Sequence, residues 1–574
     1  RLFRFLNTTQ ADKMKQLRLE NDPLEKEKFL QRLDQSLHTN GVIDLLRKGF
    51  RYKHLVLDMF YVRPSPGNET AAKLYAQNIF SVTRQLQYSR QNPLLALDVC
   101  LFLNGLPIAT MELKNQLTKQ NAADAVKQYK DERTPDEVLF GFKRCIVHFA
   151  VDDNEVRMCT ELKGQKSWFL PFNKGYNDGA GNPPNPDGMK TDYLRKEILR
   201  KDDFSNIIEN YVQIICDEDE ETHKKSYKQI FPRYHQLQLV TSLLADAKRD
   251  GVGKRYLIQH SAGSGKSNSI AWLAHQLVTL KDATDHNIFD TVIVVTDRVN
   301  LDKQIRNTIR QFMQVSSTVG WAKDSSELGT LLEKGTKIII TIVHKFQFIL
   351  EDISKLHTNR NFAILIDEAH SSQNGDLSTK MNIVLSGSEY DNDDLLEDKI
   401  NTLIDGKKLA KNASYFAFTA TPKNKTLEVF GREEIQPDGS KRFFPHYVYT
   451  MKQAIEEHFI MDVLRYYTPI QSFYKLSKTV EDDPLFDKKK GAAVYDIHEN
   501  RWLCVFRNFP NQYAIEQKAG IIVEHFHTEV IGRGKIGGRA RAMVITSGIP
   551  RAIEYYKAIN ALLEQRKSPY KTII

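Results

Sequence analysis

Five short β-rich runs, at residues 255–259, 291–296, 337–342, 363–366 and 415–419, recur between helical stretches. This alternation constrains the fold more than any other feature of the chain. Strands that alternate with helices predict a parallel sheet covered by helices on both faces. The 574 residues exceed what one such layer needs. At roughly 100–200 residues per domain, the length predicts about three to five domains or lobes. Hydrophobic residues make up 41% of the chain and aromatic residues 10%, enough for several cores, which excludes a disordered or fibrous chain.

Lys and Arg number 81 and Asp and Glu 72, a formal net charge of +9. That balance suits a nucleic-acid partner without proving one, because phosphate is met by local patches. The five cysteines, at 100, 145, 159, 216 and 504, form no C-x-x-C pair and no Cys/His cluster. They predict reduced thiols in a cytoplasmic protein and no zinc ribbon. The chain opens on Arg1-Leu2-Phe3-Arg4 with no signal-peptide core behind it, and no apolar run reaches the roughly 18 residues that a membrane span needs. No membrane partner is expected. The longest apolar stretch, residues 94–111, is interrupted by Asp98 and Asn104.

Residues 10–35 are highly charged with helical spacing of Leu and Met and predict one surface helix. Residues 173–188 are a loop by composition. An acidic run at 217–221 precedes the basic stretch 223–235 and reads as a solvated linker, with a domain boundary near 222. Residues 386–405, rich in Asp, Glu and Asn, predict a surface excursion. From about 463 a new set begins, with strands expected at 463–467 and 542–546 and a helix at 515–526. The expected domains are 1–221, 222–462 and 463–574.

His260-Ser-Ala-Gly-Ser-Gly-Lys-Ser267 follows the strand RYLIQ and opens a helix. Backbone N–H groups of such a loop point at phosphate, and the helix N-terminus adds a favourable field. Gly263 and Gly265, on either side of Ser264, allow close approach. Lys266 would reach the β and γ phosphates, and Ser267 would hold Mg²⁺. A strict P-loop has Gly where His260 stands, so only its second half is met. Asp367 and Glu368 end an apolar strand, where parallel sheets deliver catalytic groups. Asp367 suits a Mg²⁺ ligand through water, and Glu368 suits the group that orients attacking water. Thr419 and Thr421 lie at the end of a third strand, in Phe418-Thr-Ala-Thr-Pro422.

The trio resembles superfamily 2 helicases of the DEAH type, with His370 completing the box. The resemblance extends to Arg233-Tyr-His-Gln236, where it implies that Gln236 reads adenine. It also covers Thr296-Asp297-Arg298 and Ile342-Val-His344-Lys345, where it implies contacts that couple ATP to DNA. For these last two segments a turn with a helix cap is a live alternative.

Residues 94–115 place two apolar runs about Asn104-Gly105, a hairpin signal. Glu112 and Lys114, two apart, share one face of the second strand. A strict two-residue turn pairs 98 with 111 and sends Asp98 and Glu112 to opposite faces. An odd loop or a bulge is therefore expected, since one residue of slip changes the face. Asp98 and Glu112 could then hold Mg²⁺, and Lys114 could position or deprotonate water. On spacing alone an ordinary sheet salt bridge is the more economical reading.

The arrangement resembles the PD-(D/E)xK nuclease motif. With the helicase motifs behind it, nearly the whole chain looks like the R (restriction and motor) subunit of type I restriction enzymes. Further phrases carry the likeness: Leu103-Asn-Gly-Leu-Pro-Ile108, Asp367-Glu-Ala-His-Ser-Ser-Gln373, Ile515-Glu-Gln-Lys518 and Ala542-Met-Val-Ile-Thr-Ser547. The resemblance implies an α/β chain in which a PD-(D/E)xK-type nuclease domain precedes RecA-like parallel-sheet motor lobes. It implies ATP-driven translocation on double-stranded DNA coupled to Mg²⁺-dependent cleavage. It also implies partnership with modification (methyltransferase) and specificity subunits, to which S-adenosylmethionine would belong.

Two departures stand out. The family often carries Q-x-x-x-Y on the helix after the lysine; here Tyr129 fits as the auxiliary nuclease residue, but Ala125 holds the Gln position. Gln128 is expected to point elsewhere on that helix. The family's arginine motif and helical domain are also not found before Ile574, so an incomplete second lobe is expected. The competing readings are a DNA-repair or remodelling helicase whose nuclease-like domain only grips DNA, and a non-catalytic ATP-gated assembly module.

Overall fold

The computed structural model describes residues 1–19, 22–64, 67–218, 222–296, 308–310, 319–322, 325–342, 359–367, 412–462, 511–532, 541–546 and 548–573. They form two compact units, Arg1–Tyr467 and Thr468–Ile574.

The first unit contains two large sheets. One has six strands in chain order: β1 (Phe80–Gln87), β2 (Ala96–Leu103), β3 (Leu106–Leu113), β4 (Val147–Val151), β5 (Val156–Cys159) and β6 (Leu170–Pro171). Only β3 and β4 run parallel, because helix α1 (Ala122–Glu132) makes the crossover between them. A capping box starts α1: the Asn121 side chain accepts from the Ala123 and Asp124 N–H groups, and the Asp124 carboxylate accepts from the Asn121 N–H. Ala125 and Tyr129 of α1 pack with Leu97, Cys100, Phe140 and Ala150. Ile108, Met111 and Phe149 face a larger core shared with Phe5, Phe29 and Leu33 of the N-terminal helices.

Those N-terminal helices correct one expectation. The charged segment at 10–35 is not one helix but two, Ala11–Leu17 and Pro23–Asn40. Arg18 sits at φ +54, and Asp22 accepts from the Leu24 and Glu25 N–H groups with Pro23 behind it. An Asp cap followed by Pro at the first helical position is a start signal that outweighs the continuous spacing of Leu and Met.

Helix α2 (Tyr234–Asp250) leads to the second sheet, whose strands are β7 (Arg255–His260), β8 (Thr291–Thr296), β9 (Val319–Trp321), β10 (Ile338–Ile342), β11 (Phe362–Ile366), β12 (Ala413–Thr419) and β13 (Tyr447–Tyr449). Helix α3 (Lys266–Val278) follows β7, and the short helix α4 (Met451–Glu456) follows β13. The strand order is β9-β10-β8-β11-β12-β7-β13, and every neighbouring pair is parallel. The parallel sheet expected from the alternation is present. Its two edge strands, β9 and β13, are three residues each and too short to stand out as runs.

The described part of the acidic run, Asp217 and Glu218, lies in a strand and not in a linker. Gln213–Glu218 pairs antiparallel with Lys225–Ile230, and Lys228 Nζ lies 2.8 Å from Asp217 Oδ2. One position of the hairpin is anchored in the core: Gln229 Nε2 donates to the carbonyls of Cys145 and Ile146, both at 2.8 Å. Trp272 Nε1 likewise donates to the Tyr211 carbonyl at 2.9 Å. One hydrophobic core therefore runs through both sheets. A second tie joins α4 and its cap Thr450 to the glycine-rich loop at 173–188. Ala180 N–H donates to Glu456 Oε2 at 2.7 Å, Lys452 Nζ to the Asn177 carbonyl at 3.1 Å, and Thr450 Oγ1 to the Asp178 carbonyl at 2.5 Å.

In the second unit, helices α5 (Asn511–His525) and α6 (Ile549–Gln565) pack through Ala519, Val523, Ile559 and Leu563. The strand expected at 542–546 is irregular chain instead, with Met543 85% and Ile545 87% exposed. An apolar run becomes a strand only beside another strand, and among the described residues of this unit none flanks it. The expected strand at 463–467 and excursion at 386–405 lie outside the described residues.

Asn104 gives the first prediction. It is fully buried in a two-residue turn at φ +52, with Gly105 at φ +91. It accepts from the Ile79 N–H at 2.7 Å and donates to the Met59 carbonyl at 2.9 Å and to Asn78 Oδ1 at 3.0 Å. Asn104→Ala should cost about 2–4 kcal/mol of stability, from orphaned buried groups and a strained φ. Asn104→Gly should recover about 1 kcal/mol of that in denaturant unfolding, by relieving φ alone.

Candidate active sites

The first site depends on a register shift. Strands β2 and β3 begin paired as Leu103 with Leu106 and Phe102 with Pro107, then slip to Leu101 with Ala109 and Val99 with Met111. Ile108 is the extra residue. The expected irregularity is thus a bulge behind a regular two-residue turn, and it carries the pairing on toward Asp98 opposite Glu112.

Asp98 is half-buried. Its Oδ2 accepts from the Leu113 N–H at 2.9 Å and its Oδ1 from Gln85 Nε2 at 3.0 Å. It lines an open groove of about 750 Å³ together with Val82, Arg84, Gln85 and Leu113. Glu112 is fully buried. Its Oε1 accepts from Arg133 Nε at 2.6 Å, and its Oε2 has no partner. Burial pushes the Glu112 carboxyl up to about 7; the Arg133 guanidinium opposes this and the negative charge of Asp98 adds to it. Two hard oxygen donors and one buried, unpartnered carboxylate oxygen suit a divalent cation. Among the described residues no group of three His, Cys, Asp or Glu converges on one point.

Lys114 continues β3, its N–H donating to the Val151 carbonyl at 2.8 Å. Its ammonium donates to Gln128 Oε1 at 2.7 Å. This corrects the expectation that Gln128 points elsewhere. Ala125 is fully buried against the sheet, so the helix face that meets Lys114 is the one carrying position 128. Tyr129 is fully buried as well. Its hydroxyl bonds Thr110 Oγ1 at 2.8 Å, and Thr110 Oγ1 lies 2.7 Å from His148 Nδ1. Burial holds His148 neutral, with its pKa lowered to about 3. Tyr129 therefore supports β3 from within the core. Arg133 was missed by sequence reasoning; its signal is the helical spacing of four from Tyr129, at the end of the same helix.

The second site lies at the carboxyl edge of the parallel sheet. After β7 the loop at 261–265 turns into α3 with Gly263 at φ +75 and Gly265 at φ +76, left-handed conformations that glycine adopts without strain. A Cβ on Gly265 would stand 2.5 Å from Gln236 Nε2. Lys266 and Ser267 are the first residues of α3, both half-buried. Ser264 is buried with its hydroxyl unpartnered.

His260, where a P-loop has Gly, is fully buried among His235, Phe418, Tyr447 and Tyr449, with ring centroids 5.5–6.3 Å away. Burial, with the charges of Arg233 and Lys266, lowers its pKa to about 3. It belongs to the core behind the loop. Gln236 is committed to the protein: its Oε1 accepts from the Arg233 N–H at 2.9 Å, and its Nε2 donates to the carbonyls of Ser264 and Gly265, both at 3.1 Å. Arg233 Nη2 donates to the Gly263 carbonyl at 2.8 Å, and the guanidinium stacks 3.7 Å from the Phe459 ring centroid. Sequence reasoning missed Phe459, which packs on this loop from a distant segment.

Asp367 follows β11 directly, and Thr419 ends β12; both are buried. Thr419 Oγ1 accepts from the Thr421 N–H at 3.3 Å. Thr296 ends β8, with its Oγ1 3.4 Å from the Thr341 carbonyl. The parallel register aligns Gln259 with Thr419 and Ile366 with Ala417, so loop 261–265, Asp367 and Thr419 share one edge. Lys266, Ser267 and Asp367 offer an ammonium, a hydroxyl and a carboxylate there, a set suited to a phosphate with its cation. Glu368, Asp297, Arg298, His344 and His370 lie outside the described residues.

Comparison with known proteins matches each site to a family. Residues 11–167 match the type I restriction enzyme R protein N terminus, and residues 235–490 match the SWI2/SNF2 ATPase. The type I restriction enzyme HindI endonuclease subunit of Haemophilus influenzae is 26% identical over 62% of this chain and 33% of its own length. The type I restriction enzyme SauMSSORF170P endonuclease subunit of Staphylococcus aureus is 24% identical over 74% of this chain and 41% of its own. The type I restriction enzyme SsaAORF53P endonuclease subunit of Staphylococcus saprophyticus is 22% identical over 99% of this chain and 52% of its own. The chain thus spans between a third and about half of the length of these relatives. Among the described residues no helix is long and apolar enough to cross a membrane. The restriction-enzyme N-terminal match lies ahead of the ATPase match on one chain, and the chain is similar to type I restriction enzyme endonuclease subunits across both.

Proposed function

We propose that this chain carries the nuclease and motor of a type I restriction enzyme: ATP-driven translocation on double-stranded DNA coupled to Mg²⁺-dependent endonucleolytic cleavage. The observation that carries the reading is the bulge at Ile108, which brings Asp98 toward Glu112 on the same chain as a glycine loop, Lys266 and Asp367 at a parallel sheet edge. Modification and specificity subunits are the proposed partners, and S-adenosylmethionine belongs to them.

In the nuclease, Asp98 and Glu112 would hold a divalent cation that stabilises the leaving oxygen and activates water. Lys114, steadied by Gln128, positions that water. Asp98 faces the open groove, so the duplex is expected to approach from that side. In the motor, the loop from Gly263 to Gly265 presents backbone N–H groups to phosphate, Lys266 places its charge at the β and γ phosphates, and Ser267 and Asp367 would hold the nucleotide's Mg²⁺. Glu368 is assigned to orient the attacking water and Gln236 to read adenine, for which its amide must exchange a loop carbonyl for the base. Tyr129 is assigned an auxiliary nuclease role through Thr110 on β3. Thr296, Asp297, Arg298, His344, His370, Thr419 and Thr421 are assigned to coupling between nucleotide and DNA.

Three substitutions test this in the assembled enzyme. Lys114→Ala should lower DNA cleavage by at least about 10²-fold, the usual weight of a positioned acid–base group, while ATP turnover stays within about twofold. Undiminished cutting would overturn the nuclease assignment and favour a domain that only grips DNA. Lys266→Ala should stop both ATP turnover and cutting of translocation-dependent substrates, since charge stabilisation at the phosphates is worth about 10²–10³-fold. Gly265→Ala places a Cβ against Gln236 at a left-handed φ. At about 1–2 kcal/mol of strain it should weaken binding of a fluorescent ATP analogue by about tenfold.

A further inference from the structure

The proposed nuclease site contains one charged group that the carboxylate–lysine motif does not include. Arg133, the residue after α1, buries its side chain to 3% exposure against the fully buried Glu112. Its Nε donates to Glu112 Oε1 at 2.6 Å. The rest of the fork is also engaged: Nη1 donates to Tyr88 Oη at 3.0 Å and to Glu132 Oε2 at 3.4 Å, and Nη2 donates to the Ala96 carbonyl at 3.0 Å. Ala96 precedes Asp98 by two residues on β2. One guanidinium therefore holds the Glu112 carboxylate on β3 and the backbone of the strand that carries Asp98.

The contact is lopsided. Arginine and carboxylate frequently meet bidentately, with both oxygens taken. Here only Oε1 is taken, and Oε2 is buried without a partner, which is costly for a carboxylate unless a ligand supplies the missing contact. We propose that Arg133 is the positioning residue of the nuclease centre: by holding Glu112 Oε1 and the Asp98 strand together, it fixes Glu112 in the rotamer that leaves Oε2 for the divalent cation. The inference rests on the metal-nuclease reading above. It gives Arg133 a planar task that an ammonium performs in part, since Lys keeps the charge but cannot reach Glu112, Tyr88 and the Ala96 carbonyl at once.

The test is Mn²⁺ binding to the full chain without nucleotide, read from the paramagnetic resonance of free Mn²⁺. The unsubstituted protein is compared with Asp98→Asn, Arg133→Met and Arg133→Lys. Asp98→Asn should remove the site and so define the background. Arg133→Met should weaken Mn²⁺ at least about tenfold, and Arg133→Lys by about threefold, reflecting the charge retained without the fork. In the assembled enzyme, Arg133→Lys should raise the Mg²⁺ concentration needed for half-maximal cutting while leaving the rate at saturating Mg²⁺ within about twofold, a split that a merely structural role would not produce. If Arg133→Met does not fold, Arg133→Lys decides alone. Mn²⁺ affinity unchanged in the Arg133 variants, with the site lost in Asp98→Asn, would overturn the role of Arg133 and leave the nuclease reading standing. Binding unchanged in Asp98→Asn would overturn the metal reading itself, and this inference with it.

Discussion

One extra residue, Ile108, decides which face of the first sheet Asp98 and Glu112 share. Side chains alternate along a strand, so the pairing between β2 and β3 has to slip by one before Asp98 and Glu112 can oppose each other. The bulge lies between the tight turn at Asn104 and the carboxylates, so the turn can keep its two-residue geometry while the far end of the hairpin changes register. Buried Asn104 pins one end through Met59, Asn78 and Ile79. Arg133 ties the other end through Glu112 and Ala96. The slip lies between these two fixed ends.

The second site is governed by the opposite condition, a regular parallel register with no slip. Lys266, Asp367 and Thr419 come from three different strand ends, and they share an edge because β7, β12 and β11 are neighbours in step. The loop at 177–180 of the first sheet's region hydrogen-bonds to the segment from Thr450 to Glu456, and Phe459 and Ile460 just beyond it lie against Arg233 and Gly263. The chain that leaves the edge strand β13 thus touches the glycine loop on one side and the loop at 177–180 on the other. Both are packed on one core, so a shift of this segment would be felt at each.

Most of the sheet architecture was legible because apolar runs of five to seven residues, buried on both faces, have few alternatives. What escaped was set by partners distant in sequence. The 217–218 segment looked like linker because its charge was visible and the anchoring of Gln229 on the Cys145 and Ile146 carbonyls was not. The 542–546 run looked like a strand because composition says nothing about a neighbour. Within the proposed nuclease site, the carboxylates followed from pattern and turn arithmetic. The direction of Gln128 did not, because it depends on how α1 is rotated, and that is set by burial of Ala125 and Tyr129 rather than by the motif's spacing. His260 departs from the P-loop pattern for a comparable reason: it packs into an aromatic pocket behind the loop and leaves the glycines on either side of Ser264 to make the turn.

Each site buries a guanidinium, and the difference between the two is instructive. Arg133 faces a carboxylate, so its charge is matched; the unmatched group is Glu112 Oε2. Arg233 faces a backbone carbonyl and the Phe459 ring, and burial lowers its pKa; the unmatched atom is its own Nη1. A buried charge without a full complement of partners is expensive, and the expense is tolerated where a ligand completes the set. The unmatched groups have opposite polarity, an acceptor beside Asp98 and a donor beside the glycine loop. That polarity follows what each site is proposed to receive, a cation between Asp98 and Glu112 and an anionic nucleotide beside the glycine loop.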